Sequence, residues 1–450
     1  MDRNKQRMTE GNIPKILLRF AFPLFLGGLF QQLYTAVDSW VVGKYCGDLA
    51  LAAVSSSGSL CFLLIGFCQG VFMGGGVVIS SRFGAKDKKG VEKSVHTMVF
   101  FALCMGLVLS ILGMLLTPSI LRLMGTPARV LPESVRYFRI YCAGLLAMVL
   151  YNTAVGIFQS LGDSRRPLYY LIISSITNVI LDFLFVAVFD WGVSGAALAT
   201  VLGQLLSAIL AFTHLMRGKF IVKLELKKLR PHKQILQKIL RFGLPGGIQN
   251  SVIAIANVVV QSHINAFGDV AMAGCGSYSR IEGFVFLPIT SITMAITTFI
   301  GQNVGAGNIE RAKRGGKIGT LLSVATSETV GLLFFFFAPQ LIGIFSKTPE
   351  VLSYGILQAQ VETLFYCLLG YSHGAAAVLR GTGRSMTPML VMLSVWCVFR
   401  ILYISVLVYF VPNIAILFSA YPVTWAISSV ILFFAVRRID WLDNRLGIHS

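Results

Sequence analysis

The chain of 450 residues is 55% hydrophobic and only 13% charged, whereas a soluble globular protein has roughly 25% charged residues. So apolar a chain cannot bury all of its hydrophobic surface in the core of a protein dissolved in water, which excludes an ordinary soluble protein. The net charge of +19 is dispersed between apolar segments rather than gathered in one basic domain, which argues against a nucleic-acid-binding protein.

Twelve apolar segments predict twelve membrane-spanning helices, because a helix needs about 20 residues to cross a bilayer. The N-terminal tail is polar and basic, and the first apolar segment is too long for the core of a signal peptide, so we expect it to remain as the first span. The predicted spans are 16–42, 53–81, 94–116, 135–158, 168–189, 194–215, 242–265, 272–301, 318–338, 354–378, 387–409 and 414–436. The predicted fold class is therefore an all-α membrane protein.

The basic residues are unevenly divided between the two ends of these spans. Segments on the side of the N-terminus hold 29 of the 38 Lys and Arg residues, and those on the opposite side hold 6. The positive-inside rule then predicts a multi-pass protein of the cell membrane, plasma or bacterial inner, with both termini in the cytoplasm. The eight cysteines form no C-x-x-C pair, so we expect buried apolar thiols and no metal or disulfide framework.

The two halves of the chain repeat each other at an offset of 221 or 222 residues. The matching pairs are RFAFP at 19–23 with RFGLP at 241–245, GDLALA at 47–52 with GDVAMA at 268–273, and GDSRRP at 162–167 with GRSMTP at 383–388. This offset indicates an internal duplication. Each half has six predicted spans, so both halves have the same orientation, related by a pseudo-two-fold axis along the membrane normal with a site between them. We divide the chain into lobes at 1–215 and 239–450, joined by the basic linker 216–238.

Six of the ionisable residues inside the predicted spans are candidates for function. They are Asp38, Asp182, Glu282, Glu328, Glu362 and Arg400. A charge at the bilayer centre costs about 2.5–3.5 kcal/mol on insertion scales, so each of them is a candidate for function.

Asp38 and Asp182, in the first and fifth spans, form the strongest candidate pair. Asn178 lies four residues before Asp182 and so on the same helix face, and Asn152 and Thr200 add neutral oxygens in neighbouring spans. Two carboxylates with neutral oxygens suit a proton or a hard cation such as Na⁺.

The second half has apolar or aromatic residues at the positions that match this set. Asp38 aligns with Val259 or Val260, Asn178 with Phe399 and Asp182 with Tyr403. If the fold itself required these polar groups, both halves would contain them. The pattern therefore favours a coupling-ion site in the first half. Hydrogen bonding between helices is the alternative interpretation.

The second half has its own acid, Glu282, with Arg400 in a later span. Glu282 is a candidate for binding a cationic substrate, and a buried ion pair with Arg400 is the alternative. We interpret Glu328 and Glu362 as groups that join helices. Pro23, inside the first span, removes a backbone hydrogen bond and permits a bend.

Three segments resemble the multidrug and toxic compound extrusion (MATE) transporters. They are IPKILLRFAFPLFLGGLFQQLYTAVDSWVVG, GGGVVISSRFGAKDKKGVEKSVHT and FLPITSITMAITTFIGQNVGAGNIERAKRG. The resemblance extends over nearly the whole chain. It implies two six-helix lobes in a V around a central cavity, and export of cationic or amphipathic compounds in exchange for H⁺ or Na⁺.

The resemblance also assigns residues. Asp38, Asn152, Asn178, Asp182 and Thr200 look like the cation site of the DinF-like branch, with Asp38, Asn178, Asp182 and Thr200 as the Na⁺ ligands if Na⁺ is the ion, and Pro23 looks like the proline at which the first helix bends. The NorM-like branch has carboxylates in its seventh and tenth spans. The regions 253–261 and 369–370 hold none here, which favours the DinF-like branch.

We therefore predict a secondary antiporter that is not an enzyme and has no cofactor beyond the coupling ion. Its expected partners are small organic cations or amphipathic drugs and the lipid bilayer, without nucleic acid, and we expect a monomer. A flippase of lipid-linked saccharides is the alternative; it would need a strongly cationic cavity, whereas the spans hold few basic residues. A membrane-embedded enzyme would need a catalytic motif such as HExxH, which does not occur.

Overall fold

The computed structural model describes residues 8–217 and 222–441, and this part of the chain is helical. The helices in chain order are α1 (Ile13–Gly84), α2 (Lys88–Leu123), α3 (Leu131–Ala143), α4 (Leu145–Ser160), α5 (Arg165–Asp182), α6 (Gly192–Met216), α7 (Lys233–Asn265), α8 (Asp269–Gly305), α9 (Ile309–Ile342), α10 (Pro349–Glu362), α11 (Tyr366–Gly381), α12 (Met386–Met392), α13 (Arg400–Phe410) and α14 (Ile414–Arg437). π-helical turns follow α5 at Phe183–Val188 and join α12 to α13 at Leu393–Phe399.

Helix α1 contains two spans that meet at Gly47. Gly47 has φ 80° and ψ −178° and is the one non-helical residue inside α1, so the chain turns there from a first limb (13–47) into a second limb (48–84). Only glycine adopts this backbone conformation without strain. Gly268, at the matching position of the second half, has φ 97° and separates α7 from α8. The duplicated sequence thus folds into duplicated turns.

Ten helical segments of the described chain are each long and apolar enough to cross a bilayer. The bent pair α3 and α4, with 48° between them, forms an eleventh crossing. Helices α10 and α11, joined by the 3-10 turn Thr363–Phe365, occupy the place of the predicted tenth span. This architecture confirms the predicted all-α fold of twelve spans in two six-helix repeats, although the tenth span is broken rather than continuous. The predicted linker 216–238 includes residues 218–221, which lie outside the described residues.

Large apolar side chains cover the outer surface of the helices. Leu115, Leu321 and Phe336 are each about two-thirds exposed (68%, 67% and 69%). Such exposure would favour aggregation in water but suits contact with lipid tails. The exposed apolar surface therefore supports the interpretation that the protein is embedded in a lipid bilayer.

The two lobes meet where glycines bring helix backbones into contact. A Cβ atom placed on Gly74 in the second limb of α1 would lie 2.1 Å from the backbone nitrogen of Gly243 in α7. Gly84 packs in the same way on Gln302, and Gly305 packs on Ser81. In the internal repeat Gly84 matches Gly305 and Ser81 matches Gln302. The last two contacts are therefore equivalent to each other, as a pseudo-two-fold axis between the lobes requires.

Buried amides close the junction on the side where the N-terminus lies. Gln302 accepts a hydrogen bond from Met8 N (2.9 Å) and donates one to Ser160 O (3.0 Å), while Asn303 Nδ2 donates to Met8 O (3.2 Å). Because Ser160 belongs to the first lobe and Gln302 to the second, the lobes are tied together at this side.

Candidate functional site: buried acids in the two lobes

The first lobe buries two carboxylates close to each other. Asp38 in the first limb of α1 is 7% exposed and Asp182 at the end of α5 is fully buried, and the two interact electrostatically. Among the described residues, no hydrogen-bond partner reaches Asp38 Oδ1 or either carboxylate oxygen of Asp182. Buried ionised carboxylates without partners are very unfavourable, so this pair calls for a bound proton or cation.

Local backbone structure places Asp182 and its neighbour Asn178. The regular α-helix ends at Asp182, and the following turn is π-helical, a feature frequent at functional sites. Asn178, one turn earlier, is 3% exposed, and neither atom of its amide has a partner in the described chain. Gly203 of α6 permits close packing here, since a Cβ on Gly203 would lie 3.2 Å from the Asn178 Cβ. The Asn178 amide therefore adds an unused oxygen one helical turn from the acid pair.

The other predicted members of the set are joined to it less directly. Thr200 lies three residues before Gly203 on α6, and its hydroxyl donates to Ala196 O of its own helix (3.1 Å). Asn152 Nδ2 donates to Met148 O (2.9 Å), also within its own helix, and no hydrogen bond between described residues links Asn152 to the acids. α1 passes through Pro23 with helical dihedrals, so a bend at Pro23 stays a prediction.

Sequence reasoning missed two polar side chains beside Asp38. Tyr34 interacts electrostatically with the Asp38 carboxylate and has Gln204 of α6 as a neighbour, and Tyr137 of α3 interacts electrostatically with both acids. Tyr34 was recognisable, because it lies four residues before Asp38 on the same helix face. The approach of Gln204 and Tyr137 depends on how α3 and α6 pack, which no local pattern reveals.

The second lobe contains a larger buried network around Glu362 of α10. Glu362 is fully buried and accepts hydrogen bonds from Tyr278 Oη (3.0 Å) and Gln358 Nε2 (2.8 Å). The hydroxyls of Tyr278 and Tyr366 are 2.9 Å apart, and both side chains are fully buried. Glu362 does join helices, as we interpreted it from the sequence, but it does so within a connected network that the sequence analysis did not identify.

Glu282 and Arg400 border this network without forming the ion pair considered from the sequence. Glu282 is partly buried and interacts electrostatically with Tyr366 of α11, and no hydrogen bond between described residues joins the two side chains. Arg400 is 3% exposed, donates from Nη2 to Thr424 Oγ1 (3.0 Å) and lies over the Tyr421 ring at 4.3 Å. No carboxylate oxygen of the described residues lies within 4.0 Å of an Arg400 nitrogen, so its attraction to Glu282 acts at longer range.

Glu328 has a structural role, in agreement with our interpretation. Its Oε2 accepts the backbone N–H of Cys367 at 2.7 Å, in the first turn of α11. This bond satisfies a donor that the break between α10 and α11 leaves without a helical partner. In the described part of the chain, no three His, Cys, Asp or Glu side chains group as ligands for a transition metal.

Comparisons with known proteins agree with this arrangement. The sequence profile of the MatE family matches residues 23–184 and 245–406, one match in each repeat. The probable multidrug resistance protein YoeA of Bacillus subtilis is 28% identical over 98% of this chain and 97% of its own length. The probable multidrug resistance protein NorM of Thermotoga maritima is 27% identical over 87% of this chain and 86% of its own. A solved transporter of the MOP superfamily from Pyrococcus furiosus superposes with a TM-score of 0.90 at 23% identity, covering 96% of both chains.

Proposed function

Because the chain belongs to the MatE family of multidrug and toxic compound extrusion transporters, we propose that it is an antiporter that exports amphipathic organic cations in exchange for H⁺ or Na⁺. It is a membrane transporter and not an enzyme. The observation that carries the coupling proposal is the buried acid pair Asp38 and Asp182 of the first lobe, three of whose four carboxylate oxygens have no hydrogen-bond partner among the described residues. Its equivalent positions in the second lobe have no acid.

The physical chemistry of the pair supports coupling. Two neighbouring buried carboxylates are tolerated only if a proton or a cation compensates their charge. The side-chain oxygen of Asn178, which has no partner among the described residues, and the hydroxyl oxygen of Thr200 are hard donors suited to Na⁺. Loading such a site changes the stability of one conformation of the lobe relative to another, which is the requirement for alternating access. The acid set in the first lobe also favours the DinF-like branch.

The substrate class rests on the relatives and on the second lobe. YoeA and NorM carry names of multidrug resistance proteins. Glu282 supplies a partly accessible carboxyl beside the junction of the lobes, since the next residue, Gly283, faces Gln32 of the first lobe through a 3.5 Å contact. A carboxylate bordering an apolar cavity would attract an amphipathic cation. We place the substrate site between the lobes 1–215 and 239–450, in a monomer.

We expect cells that produce the protein to retain less of a fluorescent lipophilic cation than cells with an empty vector. Collapsing the proton and sodium gradients with ionophores should remove this difference, because a secondary antiporter has no other source of energy. Efflux that continues at the same rate after both gradients collapse would contradict the antiporter proposal.

Glu282→Gln should weaken export of cations while leaving coupling-ion binding intact. The amide keeps the size of the side chain but removes the negative charge, so the apparent KM for a monovalent lipophilic cation should rise about tenfold, corresponding to a loss of about 1.4 kcal/mol. Initial export rates in proteoliposomes measure this, with an uncharged amphipathic substrate as the comparison. If Glu282→Gln weakened Na⁺ or proton binding to the same extent, Glu282 would take part in coupling, and the prediction would be wrong.

We expect the protein in the plasma or inner membrane with both termini in the cytoplasm, because most of the basic residues lie on the same side of the predicted spans as the N-terminus. In a cysteine-free variant, Lys347→Cys should react with an impermeant maleimide in intact cells, and Arg314→Cys should react only after the membrane is opened. Both positions are exposed, at opposite ends of α9. The reverse labelling pattern would overturn this topology.

A further inference from the structure

A cavity of about 420 Å³ lies at the junction of the lobes, on the side where the N-terminus lies. The end of α1, the start of α2 and the start of α7 form its wall, so both lobes contribute to it. Cavities of about 300–1,000 Å³ are the usual size of sites for small molecules. The ionisable residues that line this one are Arg82, Asp87, Lys89, Lys93, His232 and Lys233.

The lining of the cavity has an excess of positive charge. It contains four cations, Arg82, Lys89, Lys93 and Lys233, and one acid, Asp87. In the part of the chain that the structure describes, no carboxylate oxygen lies within 4.0 Å of the Lys89, Lys93 or Lys233 ammonium group. Like charges that lie together without counter-ions repel each other, so the cavity favours an anion.

The acids near the cavity have other partners. Asp87 caps α2, because its Oδ1 accepts a hydrogen bond from Gly90 N at 2.8 Å. Glu92 and Glu225 both pair with Lys228, at 3.1 Å and 3.3 Å. These carboxylates therefore leave the lysines of the cavity without counter-ions.

The start of α7 adds to the attraction for an anion. His232 precedes this helix, and its side chain makes no hydrogen bond that caps the helix. Unpaired backbone N–H groups and the helix dipole attract negative charge at such an N-terminus. The pKa of His232 is lowered by burial and then by the positive charges of Arg230, Lys93 and Arg82, so this histidine is neutral near pH 7.

The corresponding positions of the other repeat lack this set of cations. At the offset of 221 residues, Arg82 aligns with Asn303 and Lys89 aligns with Glu310. At the offset of 222 residues, Glu10 takes the place of the histidine. A general bias of basic residues towards one side of the membrane acts on both repeats, so it does not explain a cationic cavity in one repeat alone.

An exposed strip of α7 leads away from the cavity. Its residues follow each other at spacings of three or four, and so share one face of the helix: Gln234, Gln237, Arg241, Leu244 and Ile248. Leu244 and Ile248 are 37% and 43% exposed, which suits contact with lipid tails. The strip therefore runs from a cationic end at the cavity to an apolar end, which is the pattern that a phospholipid requires.

We propose that this cavity binds the phosphate headgroup of an anionic membrane phospholipid such as phosphatidylglycerol. The lysines of α2 and α7 bind the phosphate oxygens. Arg82 supplies a positive charge that is held in place, because its Nη1 donates to Gly90 O (3.0 Å) and Ser94 Oγ (3.1 Å). Since the bound headgroup contacts both lobes, it stabilises the junction between them. The site is independent of which ion or substrate the protein transports.

Native mass spectrometry of the purified protein tests this site with dioctanoyl phosphatidylglycerol, dioctanoyl phosphatidylcholine and glycerol 3-phosphate. Phosphatidylglycerol should bind more tightly than phosphatidylcholine, which has no net charge, and than glycerol 3-phosphate, which has no tails. The Lys89→Gln/Lys93→Gln/Lys233→Gln variant should bind phosphatidylglycerol at least about tenfold more weakly, because each basic residue adds to the attraction for an anionic lipid. Phosphatidylglycerol should also raise the Tm of the unaltered chain more than the Tm of this variant.

The Lys313→Gln/Arg314→Gln/Lys317→Gln variant is the matched control. These exposed residues lie on the same side, at the start of α9, and their replacement removes the same number of positive charges. Affinity for phosphatidylglycerol should not change in the control. Equal losses in the two triple variants would show attraction by general surface charge and would overturn the proposal.

Binding of phosphatidylglycerol no tighter than that of phosphatidylcholine or glycerol 3-phosphate would also overturn the proposal. Thermal unfolding shows whether each variant is folded. Lys233→Gln alone changes one exposed side chain, and it replaces the first triple variant if that variant does not fold. The single change should weaken binding of phosphatidylglycerol about fivefold, and an unchanged affinity would contradict the site.

Discussion

Asp182→Asn should abolish gradient-driven export while leaving the folded protein at least as stable as the unaltered chain. Asp182 is fully buried, and neither of its carboxylate oxygens has a partner among the described residues. Asparagine keeps the shape of the side chain but cannot release and rebind a proton, and it binds a cation weakly. Because the substitution also removes a buried acid, we expect an unchanged or higher Tm.

Asp190→Asn is the matched control for this prediction. Asp190 lies on the exposed turn before α6 at φ 55°, a conformation that asparagine tolerates well, so both export and Tm should stay unchanged. Export rates in proteoliposomes and thermal unfolding in detergent measure the two variants side by side. A fall in Tm by several degrees with export retained would mean that Asp182 joins helices and does not couple transport.

Gly74→Ala should separate the two lobes and cause a loss of both stability and export. The added methyl group would lie 2.1 Å from the Gly243 nitrogen, and the obstacle is helix backbone rather than a movable side chain. Overpacking of this kind costs about 1–3 kcal/mol, so we expect a clear fall in Tm. A cysteine pair placed across the junction should also cross-link more slowly.

Gly58→Ala tests whether the effect is specific to the contact. Gly58 lies on the same helix, and no atom comes within 4 Å of an added Cβ. Alanine is the better helix former, so this change should be neutral or slightly stabilising. If both alanine variants behave alike, the contact between Gly74 and Gly243 does not hold the lobes together.

The duplication and the turns were predictable because they depend on short local patterns. The matching GDLALA and GDVAMA segments begin at Gly47 and Gly268, and the structure gives both glycines positive φ at the ends of spans. A turn with positive φ strongly favours glycine for steric reasons, so the sequence alone is sufficient to predict where these turns lie. Burial of Asp38 and Asp182 followed in the same way from their positions inside apolar segments.

The network of the second lobe could not be predicted, because its bonds join helices that are distant in sequence. Tyr278 and Glu362 are separated by 84 residues along the chain. The sequence shows only their local spacings, such as Gln358 and Glu362 one turn apart. Which helix faces which is decided by packing of the whole lobe.

The break in the tenth span was missed for a related reason. Neither proline nor glycine occurs in Thr363–Phe365, so no local breaker marks the turn. The turn is stabilised from outside, by the hydrogen bond from Cys367 N to Glu328 of α9. A tertiary contact replaced the local signal on which sequence reasoning depends.

Transport by the Asp38→Asn/Asp182→Asn variant in proteoliposomes is the most direct test of coupling through the first lobe. Proton and sodium gradients are imposed separately, and movement of a lipophilic cation is followed against liposomes without protein. We predict transport above background for the unaltered chain with at least one gradient and none for the double variant with either. Near-normal gradient-driven transport by the double variant would contradict the account and move the coupling site to Glu282 and Glu362.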